Sequence, residues 1–214
     1  MLLLELMKYE DLIQYVKKVP YFDETFLNQD RSQVFRNQLS RWVKQAKLVR
    51  LKRGLYTLPP EHQQTKLSNL LASNILYSPS YISLEFALSY YDLIPEKATV
   101  LTAVSTHKKT QFQNGIGTFT YRKIKRTSFF GYLKIKDYYG FSILMATPEK
   151  ALIDKLYFDT SLRFEKDYFL ENLRLQNFEN LNIRQLRHYA QNMGSLKLKK
   201  MLKILILLIR KERS

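Results

Sequence analysis

Five polar side chains between residues 36 and 44 recur at a spacing that places them on one side of an α-helix. At about 100° per residue, apolar side chains of the same stretch fall on the opposite side. Guanidinium and amide groups hydrogen-bond to base edges, and ammonium and hydroxyl groups bind phosphate oxygens. The five residues are Arg36, Asn37, Ser40, Arg41 and Lys44. This pattern is typical of a helix that contacts a DNA groove.

A basic turn follows this helix in the stretch RLKRGLYTLP, residues 50–59. Gly54 supplies the backbone freedom that a tight turn needs, so we predict a β-hairpin with its turn at Lys52-Arg53-Gly54. Arg50 belongs to the same cationic group. From Arg31 to Pro60 the chain has eight Lys and Arg residues and neither Asp nor Glu. The hairpin is therefore expected to contact phosphates beside the groove that the helix enters.

Three helices are predicted ahead of this hairpin. The first spans about residues 8–19, the second is a short helix with Asp23 as its cap, and the third has Ser32 as its cap and ends near Lys47. The apolar face predicted for the third helix consists of Phe35, Leu39, Trp42, Val43 and Ala46. Three helices followed by a β-hairpin predict a winged helix-turn-helix over residues 1–60. The candidate DNA-binding residues are Ser32, Gln33, Arg36, Asn37, Ser40, Arg41, Lys44, Lys47, Arg50, Lys52, Arg53 and Tyr56.

The whole chain is strongly basic, with a net charge of +16 over 214 residues and a pI of about 9.8. This charge favours an anionic partner, either nucleic acid or an anionic membrane surface, although it also fits a merely solvated surface. Cysteine is absent, which excludes disulfides and thiolate metal sites and fits a reducing compartment. The late apolar run KILILLIRK is about half the ~20 residues that span a bilayer. We expect a cytoplasmic protein without a membrane partner.

Residues 61–214 are predicted to form a mixed α/β C-terminal domain with a small sheet and several helices, so that the fold class of the chain is α+β. The domain border is placed at Pro59-Pro60. Helices are predicted over 66–77, from a Ser83 cap through Tyr90, after a Thr147 cap, and near 167–175, 183–192 and 195–211. Two strands are predicted around a turn at 137–140, and two more strands at 98–106 and 116–126.

Catalytic chemistry has little support in the residue types. The three histidines, His62, His107 and His188, are scattered, and none has a partner at metal-ligand spacing. No Asp or Glu is followed two residues later by Lys, as is common in metal-dependent nucleases. The glycine pair Gly115 and Gly117 is too short a motif to predict a phosphate-binding loop, which needs a longer glycine-rich turn and a lysine. We therefore predict no enzyme activity, no metal and no cofactor.

A second basic band lies between Lys97 and Lys136, with nine Lys and Arg residues and no acid. Its aromatic neighbours include Phe119 and Tyr121. Cations mixed with aromatic rings suit RNA or single-stranded nucleic acid, through charge and stacking. The alternative is that the aromatic rings pack a sheet core and the cations line its solvated face. The candidates for this second nucleic-acid surface are Lys108, Lys109, Arg122, Lys123, Lys125 and Arg126.

Three stretches together resemble the AbiEi antitoxin family of type IV toxin–antitoxin systems. They are LVRLKRGLYTLP, PSYISLEFALSYYDLIPE, and ATPEKALIDKLYF with FFGY upstream of it. The resemblance extends from about Tyr9 to the last helices. It implies an N-terminal winged helix that binds promoter repeats and represses its own operon. It also implies a C-terminal domain that counteracts a nucleotidyltransferase toxin in abortive infection of phage-infected cells, without a stable complex with that toxin. We expect two copies to pair on the DNA.

Three alternatives remain open at this stage. The first is a nucleic-acid-directed enzyme, nuclease-like, that a winged helix targets to its substrate. The second is a solitary transcriptional regulator without a toxin. The third is an adaptor protein whose late amphipathic helix binds a partner.

Overall fold

Two β-sheets and eight α-helices give the chain an α+β architecture with a mixed sheet, within the residues described by the computed structural model, 7–28, 34–161 and 167–213. The helices are α1 (Tyr9–Val16), α2 (Glu24–Leu27), α3 (Arg36–Lys44), α4 (Asn69–Leu76), α5 (Leu84–Tyr90), α6 (Pro148–Phe158), α7 (Ile183–Asn192) and α8 (Leu196–Glu212). The strands are β1 (Phe22–Asp23), β2 (Val49–Lys52), β3 (Leu55–Thr57), β4 (Ser80–Ile82), β5 (Leu101–Ser105), β6 (Thr110–Asn114), β7 (Gly117–Lys123), β8 (Tyr132–Lys136) and β9 (Ser142–Ala146).

The N-terminal part packs α1, α2 and α3 against a small antiparallel sheet of strand order β1-β3-β2. Leu12, Leu39 and Trp42 are buried in the core that these elements share. The Asp23 carboxylate accepts a hydrogen bond of 2.7 Å from the backbone N–H of Phe26, which confirms the predicted cap of the second helix.

Helix α3 is shorter than predicted. It begins at Arg36, with Phe35 at the N-cap position, and the predicted cap Ser32 lies outside the described residues. The Gln38 side-chain oxygen accepts a hydrogen bond of 3.1 Å from the Phe35 N–H. Phe35 precedes the helix and is 51% exposed, so its assignment to the apolar face of the third helix was wrong. Ala46 was wrongly assigned too: it lies beyond the helix, is exposed, and has a φ of 57°.

The predicted hairpin is present as β2 and β3, and Gly54 in its turn has a φ of 77°. This value lies in the left-handed region that glycine adopts readily. Arg50 pairs with Tyr56, and Lys52 pairs with Leu55 after an irregularity in β2.

The six-stranded sheet has the order β6-β7-β5-β4-β9-β8. The β4–β9 and β5–β7 pairs are parallel, and the other pairs are antiparallel. The predicted pair of strands around residues 137–140 is confirmed as β8 and β9. Strands β4 and β6 were not predicted, and β6 forms an edge of the sheet beside the hairpin.

The later helices are present where predicted, with three differences. Helix α4 begins at Asn69, after a Ser68 cap, and not at residue 66. Thr147 caps α6 by accepting from the Lys150 N–H at 3.2 Å, as predicted. Ser83 occupies the N-cap position of α5, but its hydroxyl donates to Asp154 instead of capping the helix. The helix predicted near 167–175 is a π-helical turn, Tyr168–Asn172. No described helix combines the length and the apolar character that crossing a membrane requires.

The hairpin joins two hydrophobic cores. Its residues Leu51 and Leu55 are buried in the larger core, while Tyr56 is buried in the smaller one. The Asn114 side chain donates to the Leu51 carbonyl at 3.0 Å and links the hairpin to the edge strand β6. The border that we predicted at Pro59-Pro60 stays a prediction, since packing shares the hairpin between both cores.

Candidate nucleic-acid interface

Helix α3 exposes all five of its predicted DNA-binding side chains. At 3.6 residues per turn they occupy an arc of about 140°, while Leu39 and Trp42 face the core. The exposed residues are Arg36, Asn37, Ser40, Arg41 and Lys44. Gln33, predicted to extend this face, lies outside the described residues, as does Ser32. The helix therefore presents a surface of cations, an amide and a hydroxyl with no carboxylate of its own.

Of the predicted DNA-binding residues in the hairpin, two are exposed and two contact the rest of the protein. Arg50 and Arg53 are exposed beside Gly54. The Lys52 ammonium donates to the carbonyl of Leu76 at 2.8 Å, and burial lowers its pKa. Tyr56 is buried and stacks on Phe22 with 6.1 Å between ring centroids. Lys52 and Tyr56 thus anchor the hairpin, and the two arginines are the cations that it presents to a ligand.

A groove of about 660 Å³ lies between α3, the hairpin and strand β6. Arg36 and Ser40 line one wall, and Arg50 and Arg53 line the hairpin side. The third wall comes from the larger sheet, through Gln111, Phe112, Gln113 and Asn114. The sequence did not predict a role for these strand residues, although the alternation of TQFQN is a weak strand signal. The groove brings together polar groups from both halves of the chain.

Among the residues that the structure describes, one acid lines this groove. Glu24 of α2 binds the Arg36 guanidinium, with 2.8 Å between Nε and the carboxylate oxygen. This hydrogen bond raises the pKa of Arg36, which stays charged. The ion pair orients Arg36 along the groove wall. Lys47 is exposed outside the groove, and its ammonium lies 4.8 Å from the centroid of the Tyr9 ring.

The second basic band lies at the far end of the β6–β7 ribbon from the hairpin. Thr110 pairs with Tyr121, so the loop carrying Lys108 and Lys109 faces the end of β7 that carries Arg122 and Lys123. Lys125 and Arg126 follow β7 directly. All six cations are exposed. The length of β6, roughly 15 Å at ~3.3 Å per residue, separates the loop with Lys108 and Lys109 from Asn114, which contacts the hairpin.

The aromatic residues of this band do not form a stacking platform. Phe119 and Tyr121 are buried in the larger core, and the Tyr121 hydroxyl donates to the Ser73 carbonyl at 2.7 Å. Phe129 and Tyr132 are half-buried and pack on the Tyr81 ring. The arrangement matches the alternative given above, with aromatic rings inside and cations on the solvated face. Charge, without base stacking, is what this surface offers a nucleic acid.

The stretch ATPEKALIDKLYF contributes a buried polar cluster. The ammonium of Lys150 binds the carboxylate of Asp154 one turn later on α6, and both side chains are inaccessible to solvent. Asp154 also accepts hydrogen bonds from Tyr81 at 2.9 Å and Ser83 at 2.8 Å. Because the cluster is closed to solvent and its hydrogen bonds are satisfied internally, it holds α6 against the sheet and offers nothing to a substrate.

The described residues contain no group of three or more His, Asp or Glu side chains that could hold a metal ion. His107 packs edge-on against Tyr77, and His188 forms a hydrogen-bonding contact of 3.0 Å with Asn192 of the same helix. His62 lies near the Tyr9 ring. The three histidines therefore contact three different parts of the fold.

Comparison with models of known protein families and with curated proteins finds no match for this chain. The geometry described above and the resemblance of the three stretches are thus the basis for assigning a function.

Proposed function

We propose that this chain is a double-stranded DNA-binding transcriptional repressor of its own operon, which uses residues 1–60 as a winged helix-turn-helix. One observation carries the proposal: Arg36 and Ser40, from the exposed and acid-free face of α3, line a single groove together with the hairpin cations Arg50 and Arg53. A recognition helix next to a basic hairpin is the arrangement with which winged helices contact a major groove and the adjacent backbone.

The exposed side chains of α3 have the chemistry for two kinds of contact. Asn37 is assigned to an adenine edge and Arg41 to a guanine edge, because each can form a bidentate pair there. Ser40 and Lys44 are assigned to phosphates, as are Arg50 and Arg53 of the hairpin. Arg36 forms an ion pair with Glu24, so we assign it a structural role in the groove wall and no contact with a base.

The antitoxin role is the second part of the proposal, and it rests on the resemblance to the AbiEi family. Under this role the C-terminal part counteracts a nucleotidyltransferase toxin without forming a stable complex with it. The exposed cations at 108–109 and 122–126 supply a phosphate-binding surface for RNA or flanking DNA. The decisive genetic test is co-expression: the chain should restore growth when a nucleotidyltransferase encoded beside it arrests the cell. Persistent arrest with soluble antitoxin would remove this part of the proposal.

The hairpin assignment is tested by the salt dependence of binding. We expect Arg53→Ala to weaken binding to the DNA upstream of the gene about equally for all sequences. The slope of log K against log salt should fall by about one ion, because one phosphate contact is lost. Fluorescence anisotropy over a range of salt concentrations measures both effects. The control is Arg184→Ala, an exposed arginine on α7, which should leave the slope unchanged. Equal slopes for Arg53→Ala and the parent would contradict the assignment.

The α3 assignment is tested by sequence preference. Arg41→Ala should cost about 1–3 kcal/mol on the preferred site and relax the preference at one base pair. Selection from a randomised DNA library measures the change, with Arg53→Ala as a comparison that should keep the parental preference. An unaltered sequence preference in the Arg41→Ala variant would show that α3 is not the element that recognises the bases.

Incubation of the parent with labelled DNA and RNA plus Mg²⁺ or Mn²⁺ distinguishes this function from the nuclease alternative, which predicts cleaved product.

A further inference from the structure

The last two helices form a groove that the DNA-binding proposal does not use. Helices α7 and α8 enclose a volume of about 620 Å³ between them. Its floor is apolar and is formed by the buried side chains of Leu202 and Ile206 and by the exposed side chain of Leu207, all from α8. Leu207 is 58% exposed, although it lies in the middle of an amphipathic helix whose neighbours Leu205 and Leu208 are buried. Together with the apolar floor beside it, Leu207 forms an apolar surface of the kind that a partner can cover.

Basic side chains border this apolar floor. Arg187 of α7 and Lys199 and Lys203 of α8 line the groove and are exposed. None of these three forms an ion pair with any residue in the described ranges. Within the described part of the chain, no Asp or Glu lines the groove. The groove therefore combines an apolar floor with a rim of one sign of charge.

The basic rim and the apolar floor of the groove together indicate which kind of molecule it could bind. A second copy of this chain carries the same basic rim and a net charge of +16, so self-association here would bring like charges together. A nucleic acid would neutralise the rim, but its backbone would leave the exposed Leu207 side chain uncovered. An acidic amphipathic helix satisfies both, because its apolar stripe fills the floor and its carboxylates reach the rim.

We propose that the α7–α8 groove binds an amphipathic helix of a protein partner. The partner's leucine-like side chains, spaced i, i+4 and i+7, would contact Leu202, Ile206 and Leu207. Its flanking Asp and Glu side chains would face Arg187, Lys199 and Lys203. Binding here is independent of α3 and the hairpin, so the full chain could hold DNA and this partner at the same time.

The test uses the full chain and a designed peptide probe. The probe is a fluorescein-labelled helix of about 18 residues, with leucines at i, i+4, i+7 and i+11 and glutamates on both flanks. A scrambled peptide of identical composition controls for simple attraction to a basic protein. We expect saturable binding of the probe in fluorescence anisotropy, with the scrambled peptide at least about tenfold weaker because it cannot place its leucines on one face.

Two pairs of matched variants locate the binding. Leu207→Asp and Lys203→Glu should each weaken the probe about tenfold or more, because each places a carboxylate in the groove. Leu196→Asp and Lys211→Glu alter exposed residues of the same helix outside the groove and should bind as the parent does; Leu196 is 75% exposed. A probe in which lysines replace the glutamates should bind the Lys203→Glu variant better than it binds the parent.

Three results would overturn the proposal. One is equal binding of the patterned and scrambled peptides. Another is equal weakening by the groove variants and their controls. The third is a concentration-dependent dimer, detected by sedimentation, that Leu207→Asp abolishes, because a second copy would then be the occupant.

Discussion

At the scale of single residues, location decides what a cation can do. Lys52 and Lys150 have the same side chain as the exposed Lys44, yet burial lowers the pKa of both, and for Lys150 the charge of Asp154 offsets part of this effect. Lys52 is bound to carbonyls at the end of α4, and Lys150 is bound to Asp154. The net charge of the chain therefore overstates the charge available to a ligand.

Gly131 provides a residue-scale test of the buried cluster. Its φ is 77°, and a β-carbon there would lie 2.9 Å from Cγ of Lys150. Gly140 has a similar φ of 83° with open space around it. Each alanine substitution should lower the free energy of unfolding by on the order of 1 kcal/mol, because alanine is strained at a positive φ. Gly131→Ala should cost roughly 1–3 kcal/mol more because it displaces Lys150. Urea unfolding measures both, and equal losses would indicate that Lys150 moves freely.

The carboxylate of Asp159 gives a pH-dependent prediction. Partial burial alone would raise its pKa, but hydrogen bonds from Ser161 and Tyr168, with help from Lys155, lower the pKa to about 2. An unfolded Asp titrates near ~3.9, so the charged form stabilises the fold above about pH 4, and this contribution is lost as the pH falls towards 2.

The Asp159→Asn variant tests this linkage. The difference in unfolding free energy between parent and variant should be largest near neutral pH and should disappear as the pH falls to about 2. Tyr168→Phe removes one of the hydrogen bonds and should reduce the pH dependence without abolishing it. Denaturant titrations at a series of pH values provide the comparison. A difference that stays constant from neutral to acid pH would exclude the proposed linkage.

At the scale of elements, the sequence predicted helices with strong caps or long amphipathic patterns. Thr147 followed by Pro148 predicted the start of α6, and the periodicity of residues 183–192 predicted α7 with its observed bounds. Strand β4 was missed because SYI is too short to show a pattern. Strand β6 was missed because TQFQN has few β-branched residues, and its pairing with β7 determines its structure. Tertiary pairing of this kind is not encoded in a local stretch.

The candidate site was predictable only in part for the same reason. Exposure of Arg41, Lys44 and Arg53 follows from helical spacing and from a turn at Gly54. The withdrawal of Lys52 depends on α4, and the wall formed by Gln111 and Gln113 depends on β6. Both elements lie far along the chain from the hairpin, so no local pattern could have indicated these contacts.

At the scale of the whole molecule, the shared hairpin predicts that both cores unfold together. Trp42 is the single tryptophan and reports on the smaller core, while far-UV circular dichroism mainly reports on the larger one. The two signals should have the same urea midpoint. Leu186→Ala, a truncation in the larger core, should lower both midpoints equally, with a cost of about 2–5 kcal/mol. If the urea midpoint measured by Trp42 fluorescence did not change in Leu186→Ala, the two cores would unfold independently.

The contacts of Lys52 and Asn114 have a consequence for the energetics of DNA association. With Lys52 bound to the end of α4 and Asn114 bound to the Leu51 carbonyl, the turn that carries Arg53 is already oriented before any ligand arrives. The conformational entropy of this turn is lost when the chain folds, so DNA binding does not have to order the turn a second time. Calorimetry should therefore find a smaller unfavourable entropy for the parent than for a Lys52→Ala variant, whose turn has to be immobilised by the DNA itself.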